Sequence, residues 1–463
     1  MRVDAARAAA YDVLTAVREQ DAYTNLLLPG LLRRRKLTGR DAAFATALAA
    51  GTIRRQGSYD AILATLVSRP LPDLQPGLLD ALRLGAHQIL DMRVPAHAAV
   101  ATTVDLVRAK VGRGPAGLAN AVLRRLDRHD LDGWLRRVAP DPTADPVGYA
   151  AVVHSHPGWV VEELAAALDA AGAGAELEEL LRADNAPAKV TLVARPGLCT
   201  VGELAEAGAR PTGRSPYAAT LPGGDPGQIR AVAERRAGVQ DEGSQLVALA
   251  LAGAPLTGRD ERWLDLCAGP GGKAALLAAL ATERGAIVLA AERQPHRAAL
   301  VRDTAGGSPG LLGVVAADGT RPAWRPAGFD RVLLDAPCSG LGALRRRPEA
   351  RWRRSRADLD ALVPLQQRLL DAALAAVRPG GLVGYVTCSP VLAETADVVR
   401  RALAEHPDVR LEPAAPLFDG VPELRAEEQP LPGTVQLWPH RQQTDAMFFA
   451  LLRRAGTADP AGH

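Results

Sequence analysis

Two cysteines follow apolar runs that are typical of buried β-strands. One run ends at Asp335 and leads into Ala-Pro-Cys-Ser, which contains Cys338, and the other ends in Val-Thr-Cys-Ser, which contains Cys388. Open α/β sheets bind their ligands beyond the carboxyl ends of the strands, so both thiols stand where chemistry takes place. A single cysteine is most often a small buried hydrophobic residue. Two cysteines at equivalent positions, each followed by serine, point instead to nucleophilic catalysis.

A glycine-rich turn follows an earlier apolar run and predicts a cofactor site. Its residues are Cys267, Ala268, Gly269, Pro270, Gly271, Gly272 and Lys273. A strand, such a turn and a helix present backbone N–H groups to a ligand that approaches the main chain closely. The turn matches neither the phosphate-binding pattern Gly-x-x-x-x-Gly-Lys-Ser/Thr nor the dinucleotide pattern Gly-x-Gly-x-x-Gly. S-adenosylmethionine, an adenosine ligand without phosphates, therefore fits better than ATP or NAD.

Acidic residues follow the next two apolar runs. Glu292 is placed to accept hydrogen bonds from ribose hydroxyls, and Asp318 is suited to an adenine edge. A glycine-rich turn alone is also an ordinary strand-to-helix connection. The turn and the two acids in this order argue for an adenosine-type ligand.

Thiols beside such a cofactor suit the methylation of a pyrimidine. C5 of a pyrimidine is a poor nucleophile, but a thiolate that adds to C6 places electron density on C5, which can then attack a sulfonium methyl group. A second thiol or a carboxylate can serve the later removal of the C5 proton and the release of the thiolate. Asp335 is placed to hydrogen-bond the amino edge of cytosine.

Hydrophobic periodicity divides the chain into three predicted domains. Residues 1–138 are predicted to form an all-helical bundle, residues 150–236 a small α+β module, and residues 237–455 an α/β domain with a parallel sheet. A Pro- and Asp-rich linker at 139–148 separates the first two, and Pro29 is expected to interrupt the helices of the first. The predicted strands of the third domain are 263–266, 286–291, 313–316, 331–334 and 382–386.

Composition excludes several classes of protein. The chain has 463 residues, of which 48% are hydrophobic, so two to four globular domains are expected at ~100–200 residues each. No apolar run is long enough for a membrane span. The four cysteines form no Cys-x-x-Cys pair, so we expect neither a metal site nor a disulfide framework, and a cytoplasmic monomer with reduced thiols is the natural interpretation.

Charge is distributed unevenly along the chain. Residues 1–130 hold 19 Lys and Arg against 12 Asp and Glu, although the whole chain has a net charge of only +3. A basic N-terminal third fits a polyanion as partner. A second basic run, residues 345–356, contains seven arginines and follows the Cys338 motif. It is either a solvated charged surface or an RNA contact, for which the candidates are Arg345, Arg346, Arg347, Arg351 and Trp352.

The catalytic motifs together resemble those of the Nop/Sun (Fmu/RsmB) family of RNA cytosine-C5 methyltransferases. LDLCAGPGGK, DAPCSGLGALRRRPEARW and YVTCS occur here in the family's order and roughly its spacing. The resemblance implies a Rossmann-like class I methyltransferase domain with S-adenosylmethionine as cofactor. It implies that Cys388 is the nucleophile and that Cys338 assists breakdown of the covalent adduct. It assigns the cofactor contacts to residues 267–273, Glu292, Asp318 and Asp335.

The N-terminal segments DAYTNLLLP, LAAGTIRR, LRLGAHQIL and VPAHAAV resemble the NusB-like RNA-binding domain of the family members that act on 16S rRNA. This resemblance implies unassembled or partly assembled small-subunit rRNA as the partner, with a target cytosine that leaves its stack. The chain departs from the family pattern at Glu292, Thr395 and Ala446, which affects details of the site rather than the reaction.

Other functions remain open from the sequence. The same scaffold could methylate tRNA. A decayed methyltransferase domain would leave a non-catalytic RNA-binding or assembly factor, and an antitermination factor would act through residues 1–130 alone. The intact Asp335, Cys338 and Cys388 and the glycine-rich turn favour catalysis.

Overall fold

The computed structural model describes residues 3–456, which form two compact units. The first unit contains the chain up to Glu162 together with Asp184–Ala186 and Leu344–Arg354. The second contains Glu163–Ala183, Pro187–Ala343 and the chain from Ser355 onward. No helix among residues 3–456 is long and apolar enough to cross a membrane.

The first unit is helical, as predicted. Apolar side chains at helical spacing, among them Val13, Leu48, Leu82 and Leu123, form one buried core. Asp4 accepts a hydrogen bond from the Arg7 N–H at 2.8 Å and so begins the first helix. The helices are α1 (Ala5–Glu19), α2 (Thr24–Arg34), α3 (Gly39–Arg54), α4 (Gln56–Ala64), α5 (Pro76–Leu90), α6 (Ala96–Lys110), α7 (Ala116–Leu126), α8 (Leu131–Val138), α9 (Pro146–Val153) and, from a later segment, α17 (Ala350–Arg353).

The predicted interruption at Pro29 is wrong, because α2 continues through this residue. Proline inside a helix costs about 3 kcal/mol relative to alanine. Leu28 and Leu31 are buried on either side of it, and their packing against the core offsets this cost. The start of α2 is also held from outside the helix: the Glu349 carboxylate accepts hydrogen bonds from Thr24 N at 3.2 Å and Thr24 Oγ1 at 3.0 Å.

The second unit begins with a small α+β region. Within the described residues, four strands pair antiparallel in the order β2-β3-β1-β4. The strand predicted at 190–194 is β1. The elements are α10 (Gly158–Ala170) and α11 (Leu177–Asn185), each divided between the two units, then β1 (Val190–Ala194), α12 (Val201–Glu206), β2 (Arg210–Pro211), β3 (Ala218–Leu221), α13 (Arg230–Ala233) and β4 (Ala237–Val239).

The rest of the second unit is built on a mixed sheet, which in the described residues has eight strands in the order β10-β12-β9-β8-β5-β6-β7, with β11 paired to β12. The five strands predicted from the sequence are the parallel ones, and β12 pairs antiparallel with β9, β10 and β11. The elements are α14 (Glu242–Gly253), β5 (Arg262–Asp265), α15 (Gly272–Glu283), β6 (Ile287–Glu292), α16 (Pro295–Ala305), β7 (Leu311–Ala316), β8 (Phe329–Asp335), α18 (Arg356–Ala376), β9 (Val377–Thr387), α19 (Ala396–Glu405), β10 (Val409–Glu412), β11 (Val435–Gln436), α20 (Pro439–Gln442) and β12 (Phe448–Arg454).

Helices cover both faces of this sheet. Alternate residues of a strand point to opposite faces, so Leu333 of β8 packs with α14 and α15, while Val332 and Leu334 pack with α18 and α19. The strand order reverses between β5 and β8, and in such sheets the ligand binds at this point beyond the carboxyl ends. The fold therefore brings together the residues that follow β5, β6, β8 and β9.

Candidate active site

The structure places the two cysteines predicted for catalysis next to each other. Cys338 follows β8 and Cys388 follows β9, and these strands are parallel neighbours with Asp335 opposite Val386. The two Sγ atoms are 3.5 Å apart, within hydrogen-bonding distance for sulfur. The loops are joined further along, where Gly342 N donates to Cys388 O at 2.9 Å. Both thiols can therefore take part in the same reaction at one site.

The Cys338 thiol holds its proton firmly. The hydrogen bond to Cys388 and burial raise the pKa of the Cys338 thiol well above its ordinary value, and Glu394 and Asp335 add to the shift. Cys338 therefore keeps its proton at neutral pH and can donate its S–H to the Cys388 sulfur.

A partly buried ion pair lies beside the thiols. Lys273 Nζ donates to Asp335 Oδ2 at 2.9 Å. Burial lowers the pKa of Lys273, but Asp335 and, to a smaller extent, Cys388 outweigh burial and raise it overall. The ammonium group therefore stays charged and favours negative charge on the Cys388 sulfur. Lys273, which the sequence placed only in the cofactor turn, is thus also part of the thiol site.

A single glutamate connects the two cysteine loops. Glu394 is fully buried, and its carboxylate accepts hydrogen bonds from Ser339 N, Ser339 Oγ and Ser389 Oγ at 2.7, 2.5 and 2.7 Å. Gln366 Nε2 donates to it as well, at 3.0 Å. The sequence analysis named only its neighbour Thr395, although the position of Glu394 shortly after Thr-Cys-Ser was the available signal.

The glycine-rich turn has the predicted position between β5 and α15. Gly271 has φ +112°, and a Cβ there would lie 3.0 Å from the Val301 Cα of α16. At Gly269 a Cβ would lie 2.1 Å from Glu292 Oε2. Glycine is therefore required at position 271, whereas a side chain at position 269 would displace the Glu292 carboxyl group. No side chain in the described residues caps α15, so its first N–H groups are placed for a ligand.

The two acids predicted for the nucleoside lie at the same edge. Glu292 ends β6 and is nearly fully buried, with Oε1 accepting from Gln294 N at 2.9 Å. Asp318 follows β7, and its Oδ1 accepts from Thr320 N and Oγ1 at 3.0 and 2.7 Å. Since β6 pairs parallel with β5 and β7 pairs parallel with β6, both acids lie along the edge that carries the glycine-rich turn.

Sequence reasoning missed a third acid, Asp265, which is the last residue of β5. It is fully buried, and neither carboxyl oxygen makes a hydrogen bond in the described residues. Burial, then Asp335, raise the pKa of Asp265 to about 8, against the opposing influences of Lys273 and the Cys267 N–H. A buried carboxyl group without a hydrogen-bond partner destabilises the fold unless a ligand supplies that partner. Its place at the end of the strand that opens the glycine-rich turn was the signal in the sequence.

Most of the arginine-rich run after Cys338, up to Arg354, belongs to the first unit. Arg351 is fully buried, and its guanidinium donates to Ser155 O at 3.0 Å, Asn185 Oδ1 at 2.8 Å and Asp184 O at 3.1 Å. Burial lowers the pKa of Arg351 to about 9, which still leaves it charged at neutral pH. The prediction that Arg351 contacts RNA is therefore not supported, because its donors are used inside the protein.

Trp352 is also used for packing. Its ring lies against the core of the first unit, and its Nε1 donates to Ile53 O at 2.7 Å. Arg345 is mostly buried, whereas Arg346 and Arg347 are partly exposed. RNA contact by Arg346 and Arg347 stays a prediction. The charge of the run did not predict that Arg351 and Trp352 pack inside the helical unit.

Replacing Arg351 by alanine should destabilise the first unit. The change leaves three buried acceptors without their donor, so the free energy of unfolding should fall by about 3 kcal/mol. Urea unfolding of the full chain measures the effect. The matched control is Arg137→Ala on α8, an exposed arginine whose loss should change stability by less than about 0.5 kcal/mol. Equal effects of the two substitutions would contradict a structural role for Arg351.

Two family models match this chain. Residues 4–128 match the NusB family, and residues 254–453 match the family described as 16S rRNA methyltransferase RsmB/F. The first match lies in the helical unit and the second spans the mixed sheet with the thiol pair.

Individual proteins agree with these matches. A methyltransferase of Mycobacterium tuberculosis strain H37Rv, Rv1407, is 52% identical over 98% of this chain and 97% of its own. The ribosomal RNA small subunit methyltransferase B of Xanthomonas campestris is 32% identical, with 97% of each chain covered. The crystal structure of PH0851 superimposes with a TM-score of 0.78 at 23% identity, covering 98% of this chain and all of that one, which supports the fold.

The doubly wound sheet, its glycine-rich turn and its strand-end acids define an S-adenosylmethionine-dependent methyltransferase. The residues present fit this cofactor, since they offer uncapped N–H groups and an unpaired buried carboxyl at the turn. The chain belongs to the RsmB/F family of 16S rRNA methyltransferases, joined here to a NusB-like helical domain. The resemblance and the fold class inferred from the sequence are thereby confirmed.

Replacing Asp265 by asparagine should separate cofactor binding from stability. If the carboxylate pairs with the cationic methionine portion of the cofactor, the Kd for S-adenosylmethionine should rise about 10- to 100-fold. A carboxyl whose pKa rises on folding destabilises the folded state progressively as the pH rises from about 4 to about 8, so the neutral side chain should add stability at pH 7 and little near pH 4. Calorimetric titration and thermal unfolding measure both, and unchanged affinity would exclude Asp265 from the cofactor site.

Proposed function

We propose that this enzyme methylates C5 of a cytosine in small-subunit rRNA through a covalent adduct on Cys388. The observation that carries the proposal is the thiol pair, 3.5 Å apart, beside the partly buried Lys273–Asp335 ion pair at the carboxyl edge of the sheet. Two adjacent thiols suit a reaction in which one adds to the base and the other assists its release.

In the proposed reaction the Cys388 thiolate adds to C6 of cytosine. The new S–C6 bond moves an electron pair towards C5. S-adenosylmethionine would supply the methyl group that C5 attacks, with the methyl–sulfur bond broken and S-adenosylhomocysteine released. Loss of the C5 proton to a base then restores the C5–C6 double bond, and the S–C6 electrons return to Cys388. One methyl group has replaced one proton, and the thiolate is regenerated.

The surroundings of the thiols support this division of roles. Cys338 keeps its proton and lies within reach of the Cys388 sulfur, so it can donate to that sulfur as negative charge returns during release. The Lys273 ammonium group stabilises the same charge. Asp335 Oδ2 accepts a hydrogen bond from Lys273, and we propose that Asp335 Oδ1 accepts one from the cytosine amino group.

The proposed substrate is an unpaired or unfolded segment of small-subunit rRNA. The name of the Xanthomonas relative supports rRNA, and the positive charge of residues 1–130 supports a polyanion partner. A cytosine inside a helix cannot reach a thiol, so the base must leave its stack. We accordingly place the enzyme in the cytoplasm, where its free cysteines stay reduced.

Bisulfite sequencing of total rRNA and tRNA from cells with and without the gene tests this function. Loss of protection at one cytosine of small-subunit rRNA is the expected result. Loss confined to tRNA would keep the chemistry and replace the substrate. No difference between the two strains in either RNA would overturn the proposal in favour of a non-catalytic RNA-binding factor.

A further inference from the structure

Glu394 links the residues that directly follow the two cysteines. Ser339 comes after Cys338 and Ser389 after Cys388, and both hydroxyls donate to Glu394 Oε2, at 2.5 and 2.7 Å. The two hydroxyl oxygens are 3.1 Å from each other. One carboxylate oxygen therefore ties the two loops together immediately beyond their thiols.

The other oxygen anchors the same group to the scaffold. Glu394 Oε1 accepts from Ser339 N at 2.7 Å and from Gln366 Nε2 of α18 at 3.0 Å. Gln366 Nε2 also donates to Pro337 O at 2.9 Å, so it holds the residue before Cys338 as well. The main chain of Glu394 is fixed by Tyr385 of β9, whose hydroxyl donates to Glu394 O at 2.7 Å.

We propose that Glu394 is a positioning residue that sets the separation of the two thiols, and that it acts through hydrogen-bond geometry rather than through its charge. The inference rests on the proposed function, because thiol separation matters for catalysis only if both cysteines take part. Its physical basis is that a fully buried carboxylate is costly unless several donors surround it, and Glu394 has four. Three of those four donors belong to Ser339 and Ser389, the residues that directly follow the two cysteines.

The donors predict which substitutions will preserve the arrangement. A glutamine can turn its carbonyl oxygen towards Ser339 N and Gln366 Nε2, which can only donate, and its NH₂ towards the serine hydroxyls, which can also accept. Glu394→Gln should therefore keep the geometry without the charge. Glu394→Asp keeps the charge but is one methylene too short to reach both loops.

The test measures the thiol pair directly, without RNA. Diamide takes two electrons and two protons from neighbouring thiols and leaves a disulfide. Because Glu394 also helps to raise the pKa of Cys338, the oxidation rate of Cys338 with Cys388 is divided by the rate at which iodoacetamide alkylates the same thiols, and this ratio reports their separation. Peptide mass spectrometry follows the disulfide in the full chain. We expect wild type and Glu394→Gln to oxidise at rates within about threefold, and Glu394→Asp to be slower by about tenfold or more.

Methyl transfer to RNA supplies the second readout. We expect Glu394→Asp to lower kcat at least tenfold with KM values within about twofold, and Glu394→Gln to retain most of kcat. The matched control is Glu242→Asp, because Glu242 is a buried glutamate elsewhere in the unit that accepts from Thr212 Oγ1 and from Ser215 N. The control should leave thiol oxidation and kcat unchanged.

The outcomes separate this inference from the proposed function. Fast oxidation in Glu394→Asp, or slow oxidation in Glu394→Gln, would overturn the positioning role whatever the enzyme does to RNA. The expected oxidation rates without any methyl transfer in wild type would instead refute the proposed function. Should Glu394→Asp fail to fold, Ser389→Ala removes one arm of the link, and at least threefold slower oxidation is expected; an unchanged rate overturns the inference.

Discussion

Replacing Cys388 by alanine is expected to abolish methyl transfer and to remove the covalent protein–RNA adduct. Without the thiolate, C5 of cytosine has no means of gaining nucleophilicity, so kcat should fall by roughly 10⁴-fold or more. The measurement is transfer of labelled methyl groups to RNA, together with electrophoresis of the denatured protein. S-adenosylmethionine affinity should stay within about twofold, because the substitution removes a nucleophile and leaves the glycine-rich turn intact.

A control within the same chain isolates the effect of position. Cys199→Ala removes a thiol that is buried in the small α+β region, and burial raises the pKa of that thiol to about 11. This variant should methylate at the wild-type rate. If Cys388→Ala still forms the adduct, the nucleophile is Cys338 and the assigned roles must be exchanged.

Replacing Cys338 by alanine should have the opposite effect on the adduct. The Cys388 sulfur loses the S–H donor 3.5 Å away that assists its departure, so addition continues while release becomes slow. We expect turnover to fall by about 10²- to 10⁴-fold and a protein–RNA adduct that survives denaturation to accumulate.

The double variant gives the contrast for this prediction. Cys338→Ala combined with Cys388→Ala should form no adduct, since the accumulating species is bound through Cys388. Adduct in the double variant, or none in Cys338→Ala, would contradict the division of labour between the thiols.

The parallel core of the catalytic fold was predictable because its residues are constrained locally. Buried parallel strands appear as short apolar runs, and their carboxyl ends carry Asp335, Cys338 and Cys388 directly in the sequence. The antiparallel β12 was not predicted. Its apolar run is compatible with either a helix or a strand, and its pairing with β9 depends on tertiary context.

The residues that sequence reasoning missed act at a distance along the chain. Glu394 carries out its role only after the sheet brings the two cysteine loops together, and nothing local predicts four donors around it. Arg351 appeared as part of a solvated or RNA-binding run, yet its partners lie in two earlier segments of the first unit. Charge density along the sequence could not distinguish a surface arginine from a buried one.

Mass spectrometry of the nucleosides after an in vitro reaction shows whether Cys388 methylates C5 of cytosine. The purified full-length protein is incubated with S-adenosylmethionine carrying a deuterated methyl group and with small-subunit rRNA from cells that lack the gene. We expect one deuterated 5-methylcytidine per rRNA molecule with the wild-type enzyme and none with Cys388→Ala. Label in any other nucleoside, or 5-methylcytidine formed equally by Cys388→Ala, would contradict this expectation.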